Sequence, residues 1–474
     1  MILKKNYDEI EAYLLDASNF KGVTEAVYIP ENANELKALV TKFNDEKTPF
    51  TISGARTGLT GGAIPTNGVV ISLEQFDKIE FDNGLLKCGA GATWNAANKC
   101  AEQNGYFIGP NPTETNSSIG GNINTNASGS RTFAYGSIRD KVVTISAVMA
   151  NGDFLEVRRG QFKEIDGNIK FQGLDKEYTI PINPLKWPST KNATGYKLEK
   201  GGDLIDILIG SDGTLATVIG CEILCERKPD NVLGIVSFFD DNDKLLKFVN
   251  SLKNSVITYK PRLIEYFCNH SLDKLREYFP NIPNDEGAIW SEIEYSAENE
   301  DDLLIQLYEL LSNLTPLADY TWSAMDDNGH EEIRKFRHKL PELVYEKLST
   351  ISKVKIGTDS AVPDEYFCAY FKLMKNGIEE LGIEYVLFGH IGNSHLHLNM
   401  FPKTNEQVEI AKQFYNDLMN IALTKGGTVS AEHGIGKHKK EYFKMMFDEE
   451  DIQIMKEVKK TFDPLNLMGN GNLF

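Results

Sequence analysis

Three glycine-rich segments crowd the first half of the chain and limit what it can fold into. GARTGLTGGAIP (54–65) follows the strand-like FTIS (50–53) and precedes VVISL (69–73). GPNPTETNSSIGGNINTNASGSRTFAYGSIRDKV (109–142) is long, polar and built largely of small residues. GSDGTLATVIG (210–220) runs into an apolar, strand-like stretch. Glycine lets backbone N–H groups crowd around an anion, because no Cβ blocks the approach. Pyrophosphate is the usual anion for a loop such as 54–65. Asparagine and glycine make poor core material, but they place amides well around a flat, polar ligand. Three such stretches in one region point to a binding site rather than to unrelated turns. None matches G-x-G-x-x-G with a helix after it, and none contains the Gly-Lys-Ser/Thr of a Walker A loop. GAGATWNAANKCAEQNG (89–105) contains a G-x-G but lacks the third glycine at the required place, which argues against a nicotinamide site.

Around these loops the pattern is mixed α and β. A length of 474 residues predicts two to three domains of about 150 residues. Leu36, Leu39, Val40 and Phe43 fall at helical spacing, and LLKCGA (85–90) reads as a further strand. From about 231 to 315 the texture changes. VLGIVSFF (232–239) is strand-like, DNDKLLKFVNSL helical, and AIWSEIEY (288–295) alternates like a half-buried strand. Leu303, Leu304, Leu307, Leu310, Leu311 and Leu314 then trace a helical stripe. This predicts an α+β sheet with helices on one face. Residues 316–430 carry polar and histidine-rich motifs, and Ile452, Met455, Val458 and Phe462 mark a closing helix.

Composition excludes some partners. The net charge of −18 argues against a nucleic-acid surface. No run of about 18 uncharged apolar residues predicts a transmembrane helix. The N-terminal MILKKNYDEIEAYLLD reads as a helix rather than a signal peptide. Six scattered cysteines (Cys88, Cys100, Cys221, Cys225, Cys268 and Cys368) are expected to be reduced thiols of a cytosolic protein.

Five of the eight histidines lie in two short motifs. In FGHIGNSHLHLNMFP (388–402), His395, His397 and Asn399 share one face of a strand-like run, and Leu396, Leu398 and Met400 the other. His390 stands just before them. SAEHGIGKHKKEY (430–442) adds Glu432 and His433 after a helix striped by Val408, Ala411, Tyr415, Leu418, Met419 and Ala422. Two imidazoles and a carboxylate suit a divalent transition metal, but spacing alone does not say which histidines bind. HEEIRKFRHKLPE (330–342) reads as a helix start with Arg334 and Arg337, and an arginine fork can grip a carboxylate.

Taken together, the three glycine-rich segments resemble the flavin-binding segments of the FAD-linked oxidases, the family sharing the vanillyl-alcohol oxidase fold. GHIGNSHLHLN and SAEHGIG resemble the C-terminal motifs of its D-lactate and D-2-hydroxyglutarate dehydrogenases. The resemblance covers nearly the whole chain. It implies an α+β fold: a PCMH-type FAD-binding domain of two α+β subdomains (1–230), a ferredoxin-like substrate-binding cap (231–430), and a C-terminal helical segment (431–474). That last segment would carry Glu432 and His433 and pack on the FAD domain. Gly54, Arg56, Thr57, Gly58, Gly61 and Gly62 would hold the FAD pyrophosphate. Pro112, Thr113, Ser118, Gly121, Asn122, Asn126 and Ser128 would line the isoalloxazine and its chain, and Gly213, Thr214 and Ile219 would complete the pocket. GARTG contains no His or Cys, so the FAD is expected to be non-covalent.

The resemblance further implies that His390, His397 and Glu432 bind a divalent metal, zinc first, with manganese or iron also fitting. His433 would be the catalytic base, Asn399 a substrate-side polar group, and Arg337 the anchor of the substrate carboxylate. Asn393-Ser394 and His395 depart from the family's Asp-Gly and Asn. His395 is expected to make a hydrogen bond rather than to alter the metal's surroundings. The lysine and threonine that hold a second substrate carboxylate in the 2-hydroxyglutarate enzymes are replaced by Gly357 and Pro341, with Lys355 nearby. D-lactate is therefore the expected substrate, oxidised by hydride transfer from C2 to flavin N5, and D-2-hydroxyglutarate the runner-up.

A flavoprotein subunit of a larger complex, as in glycolate oxidase, is a second reading, and a metal-dependent hydrolase without flavin a third. Electrons would leave to an external acceptor: a quinone, a cytochrome, an electron-transfer flavoprotein or oxygen. Peripheral membrane contact and a homodimer stay open.

Overall fold

A computed structural model describes residues 1–254, 257–351 and 356–474 of the chain. Lys355 lies outside the described residues. Two sheets build the first half. In the smaller, Val27–Ile29, Val69–Ser72 and Phe50–Ser53 run parallel, in that order. Parallel neighbours need a crossover, and the helix Ala33–Glu46 supplies it. Asn32 caps this helix by accepting from the backbone of Asn34 and Glu35, and Leu36, Leu39, Val40 and Phe43 form its buried face. The segment 54–65 leaves from the carboxyl end of Phe50–Ser53, the end at which open α/β sheets place ligands.

The N-terminus differs from the helical expectation. Ile2–Lys4 is an edge strand antiparallel to Val27–Ile29, and only Tyr7–Ile10 is α-helical. Open backbone donors and acceptors on Val27–Ile29 offer three residues a ladder, which outweighs their helical spacing. The second sheet is antiparallel, ordered Ile79–Asp82, Leu85–Gly89, Ala216–Leu224, Val142–Met149, Phe154–Arg158. Cys88 and Cys221 face each other in it as free thiols.

The second half is built on a seven-stranded antiparallel sheet. Its order is Trp322–Ala324, Asn231–Phe239, Gly287–Tyr295, Pro261–Cys268, Tyr385–Gly389, His397–Met400, Ile356–Gly357. Helices cover both of its faces, not one. Ile289 and Ile293 pack with Leu245 and Leu303 from the helices Asn242–Lys253 and Glu300–Leu314. Ala288 and Trp290 pack with Ile333, Phe336 and Leu340 from the helix Asp327–Ile351. The strand 287–295 is therefore buried on both sides, and its polar residues Ser291 and Glu292 are buried too. Of the leucine stripe, Leu303, Leu307 and Leu311 are buried, while Leu304 faces solvent. One i, i+4 row is enough to seat that helix.

The chain end returns to the first half. Ile452, Met455, Val458 and Phe462 are the buried face of Glu449–Phe462. Phe462 stacks on Phe171 with centroids 5.5 Å apart. The backbone at 467–469 then bonds to Phe50, with Phe50 N–H donating to Leu467 O at 2.8 Å and Gly469 N–H to Phe50 O at 3.0 Å. Among the described residues, no helix is long and apolar enough to cross a membrane.

Candidate active site

The glycine-rich segments meet at one place. Ser118 caps the short helix Ile119–Asn124, and its Oγ accepts from Gly121 N–H and from Ala55 N–H of the first loop, each at 3.3 Å. A Cβ on Gly54 would lie 2.2 Å from that Oγ, so a side chain there would turn Ser118 Oγ away from both donors. Gly61 and Gly213 hold φ of +74° and +68°. Gly58 and Gly213 face open space, where a Cβ would meet nothing within 4 Å. Gly62 lies beside the C-terminal tail, where Asn472 Nδ2 donates to Gly62 O at 2.9 Å and to Asp212 O at 2.8 Å.

Arg56 does not reach across the loop. Its Nη1 folds back onto Gly54 O at 2.9 Å, and its guanidinium lies 4.5 Å from the centre of the Tyr13 ring. Asn122 and Asn126 are buried and engaged, with Asn122 Nδ2 on Ser117 Oγ at 3.1 Å and Asn126 Nδ2 on Asn192 O at 3.0 Å. Thr214 Oγ1 is 2.6 Å from the Tyr196 hydroxyl. The carbonyl of Ile219 accepts from Ala90 N–H at 3.0 Å. Pro112 and Thr113 sit in a partly exposed loop, Gly121 bonds to Ser118 through its N–H, and Ser128 Oγ donates to Glu432 Oε2 at 3.4 Å.

The second cluster gathers residues from three distant stretches. Glu432 stands between two imidazoles: its Oε2 is 3.2 Å from His390 Nε2 and its Oε1 3.1 Å from His397 Nε2. Each ring is held from behind. His390 Nδ1 is hydrogen-bonded to Glu265 Oε1, and His397 Nδ1 is 3.3 Å from Thr358 O. A partner on Nδ1 leaves Nε2 as the ligand atom, the arrangement metal-binding histidines use. The ligand atoms of His390, His395, His397 and Glu432 all lie within 4.8 Å of one another, as do those of Asp359, His397, Glu432 and His433. This nitrogen and oxygen set can hold a divalent transition metal.

His433 lies against the cluster, its ring stacked on His397 at 5.5 Å. Its Nδ1 is 3.1 Å from Asp359 Oδ2, and its Nε2 is 3.5 Å from Glu432 Oε1. Asp359 is 1% exposed, and Lys439 Nζ (2.6 Å) and Ser430 Oγ (2.9 Å) also donate to Oδ2. Burial works to raise the Asp359 carboxyl, but His433 and Lys439 hold it well below the ordinary range. His395 Nε2 is 3.0 Å from Asp359 Oδ1, and its Nδ1 is 3.4 Å from Lys191 Nζ. Burial, then the Lys191 charge, lowers His395 to about 3, so its ring is neutral. Asn399 is buried in the strand beside His397, paired with Val386 and Gly357.

Three charged residues here were not singled out as site residues in the sequence. Lys191 donates to Glu432 Oε2 at 2.5 Å. Glu265 is fully buried and bridges His390 to Arg337, whose Nε donates to Glu265 Oε2 at 2.8 Å. Burial opposes the Glu265 charge, but His390 and Arg337 bring the carboxyl down to about 2. Asp359 is the third. The readable signal was Glu265 in PRLIEYFC, because a carboxylate flanked by Leu263, Ile264, Tyr266 and Phe267 in a strand must find a buried partner.

Two family models match the chain: "FAD linked oxidases, C-terminal domain" over residues 228–473 and "FAD binding domain" over residues 24–158. The D-lactate dehydrogenase of Archaeoglobus fulgidus is 26% identical over 457 residues, covering 94% of this chain and 90% of that protein. The glycolate oxidase subunit GlcD of Bacillus subtilis is 25% identical and covers 99% and 94%. The D-2-hydroxyglutarate dehydrogenase of Stutzerimonas stutzeri is 27% identical and covers 98% and 95%. Among solved structures, an alkyldihydroxyacetonephosphate synthase superposes with a TM-score of 0.68 at 16% identity, over 98% of this chain and 81% of that one. That likeness is one of fold. The paired domain matches, each continuous with the architecture above, identify the chain as a member of the FAD-linked oxidase family, an FAD-binding oxidoreductase.

Proposed function

We propose that this protein oxidises a D-2-hydroxy acid to the 2-keto acid, using non-covalent FAD and a divalent metal held by His390, His397 and Glu432. The observation that carries the reading is the single carboxylate of Glu432 between two Nε2 atoms, with His433 beside it. When bound, the flavin supplies the hydride acceptor and the metal the positive charge that makes the substrate hydroxyl more acidic.

The chain's own residues do the rest. Asp359 engages His433 Nδ1, so Nε2 faces the cluster and takes the hydroxyl proton. Among the described residues Arg337 Nη1 has no hydrogen-bond partner, which would leave it for the substrate carboxylate. Orientation of C2–H toward the flavin is then a matter of held geometry. Asn399 offers a polar contact beside His397. Gly54, Arg56, Thr57, Gly58, Gly61 and Gly62 would cradle the pyrophosphate, Arg56 after turning from Gly54 O. Zinc suits the donor set first.

His433→Asn should retain FAD and metal while anaerobic flavin reduction by D-2-hydroxy acids falls about 10²- to 10⁴-fold, the usual worth of a positioned base. Near-parent reduction in that variant would remove His433 from the role. His390→Ala should lose the metal by elemental analysis. A fully active, metal-free variant would remove the metal from the reading. The similarity to a glycolate oxidase subunit keeps a partner-dependent form in view. Flavin reduction that proceeds alone, with turnover restored only by a partner chain, would favour it.

A further inference from the structure

Three imidazoles, not two, converge on Glu432, and each is held from behind by an acceptor. His390 Nδ1 meets Glu265 Oε1, and His397 Nδ1 meets Thr358 O at 3.3 Å. His395 repeats the pattern with its nitrogens exchanged, its Nε2 lying 3.0 Å from Asp359 Oδ1. A carboxylate oxygen at that distance keeps the ring hydrogen on Nε2 and the lone pair on Nδ1. Nδ1 in turn meets Lys191 Nζ at 3.4 Å, a group that can only donate. Both contacts leave Nδ1 as an acceptor.

The placement agrees. His395 is fully buried, its ring centre 4.5 Å from that of His397 and 5.4 Å from that of His390. Its ligand atom falls within 4.8 Å of those of His390, His397 and Glu432. His395 thus makes its hydrogen bond to Asp359, and the nitrogen left over shares the Lys191 ammonium with Glu432.

That ammonium stands where a carboxylate oxygen and an imidazole lone pair meet. A metal ion held by both groups needs the same place, so the ammonium must yield it. The fold gives it room. Lys191 lines a cavity of about 190 Å³, together with Thr190 and Asn393. Thr190 Oγ1 and Asn393 Oδ1 are buried acceptors without a partner among the described residues. Buried acceptors are normally paired, and a flexible four-carbon stem lets an ammonium trade one acceptor for another.

We propose that His395 Nδ1 is a fourth protein ligand of the metal, so that the site selects a six-coordinate ion, manganese(II) or iron(II), over zinc. The inference rests on the metal-dependent reading above and replaces its first choice of ion. Three imidazoles and a carboxylate fill a four-coordinate zinc site and close it, whereas catalytic zinc keeps three protein ligands and one open position. A six-coordinate ion with the same four ligands keeps two positions. A 2-hydroxy acid needs two, for its hydroxyl and one carboxylate oxygen.

The test uses the FAD-loaded protein, stripped of metal by a chelator and reloaded with manganese or zinc. X-ray absorption should count three imidazoles on manganese in the parent and two in His395→Asn. Chelator competition should show manganese bound at least about 100-fold more weakly by that variant, since even an outer partner of a ligand is worth about 10- to 100-fold. Anaerobic flavin reduction by D-2-hydroxy acids should be about tenfold or more faster with manganese than with zinc in the parent, and His395→Asn should erase the difference. Two imidazoles on the parent's ion, or unchanged affinity in His395→Asn, overturns the fourth ligand and leaves the three-ligand metal reading standing. Should His395→Asn fail to fold, the imidazole count on the parent decides alone. A chain that takes up neither ion overturns the metal reading and this inference with it. The count needs no substrate, so failure of every 2-hydroxy acid to reduce the flavin would sink the reaction reading and still leave the fourth ligand decided by the count.

Discussion

Asp359→Asn tests whether the base is built by its neighbours. The carboxylate is 1% exposed and meets His433 Nδ1 at 3.1 Å. At an effective dielectric of 20, a unit charge pair at that distance interacts by about 5 kcal/mol. Lys439, 2.6 Å from the same oxygen, offsets part of that field. Proton transfer is only partly complete in the transition state, so roughly half the remainder would be felt there. That leaves about 2 kcal/mol, or about 30-fold in rate. An asparagine also permits the wrong imidazole tautomer, which pushes the loss further. The assay is stopped-flow flavin reduction under anaerobic conditions, with FAD and metal content measured on the same preparation. The variant should keep both and lose rate. A rate within threefold of the parent, with cofactors intact, would refute the view that Asp359 orients and charges His433. Lys439→Met provides the control for folding. If removing the ammonium at 2.6 Å lowers stability but not rate, the rate loss in Asp359→Asn belongs to His433 alone.

Gly54→Ala should lower FAD content, because its Cβ meets Ser118 Oγ at 2.2 Å where two loops cross. The flavin-to-protein absorbance ratio reads this, and an unchanged ratio would show that the crossing yields. Phe462→Ala removes a fully buried ring stacked on Phe171 and should cost about 3–5 kcal/mol. Melting and proteolysis of the last helix report it. Asp212→Asn gives a pH signature. Burial raises the Asp212 carboxyl to about 6, so the folded chain holds that proton more tightly than the unfolded one, where it ionises near 4. Its stabilisation is complete below about pH 4 and is lost as pH rises through 6, about 3 kcal/mol in all. The variant's melting temperature should therefore gain on the parent's between pH 4 and 7, and a constant difference would contradict it.

How far the sequence could be read depended on whether the deciding contact was local. Phe50–Ser53 and Val69–Ser72 were legible because glycines bound them, Gly54 after the first and Gly68 before the second. Ile2–Lys4 was not, since an edge strand is decided by its partner Val27–Ile29 rather than by its own pattern. AIWSEIEY alternates as if one face were wet, yet Glu292 points into the protein and is neutralised by Arg262. A buried ion pair imitates a solvent face in sequence, and so the second layer of helices was hidden. The same masking applies to the candidate site. His390, His397 and Glu432 were legible because they sit in compact, unusual motifs. Their supports, Glu265, Lys191 and Asp359, are single charges dispersed over the chain, and each acquires a role only through a partner more than 70 residues away. No linear motif records such a support, because each buried charge is fixed by the partner that the fold brings to it, and the motif shows only the residue whose role that partner completes.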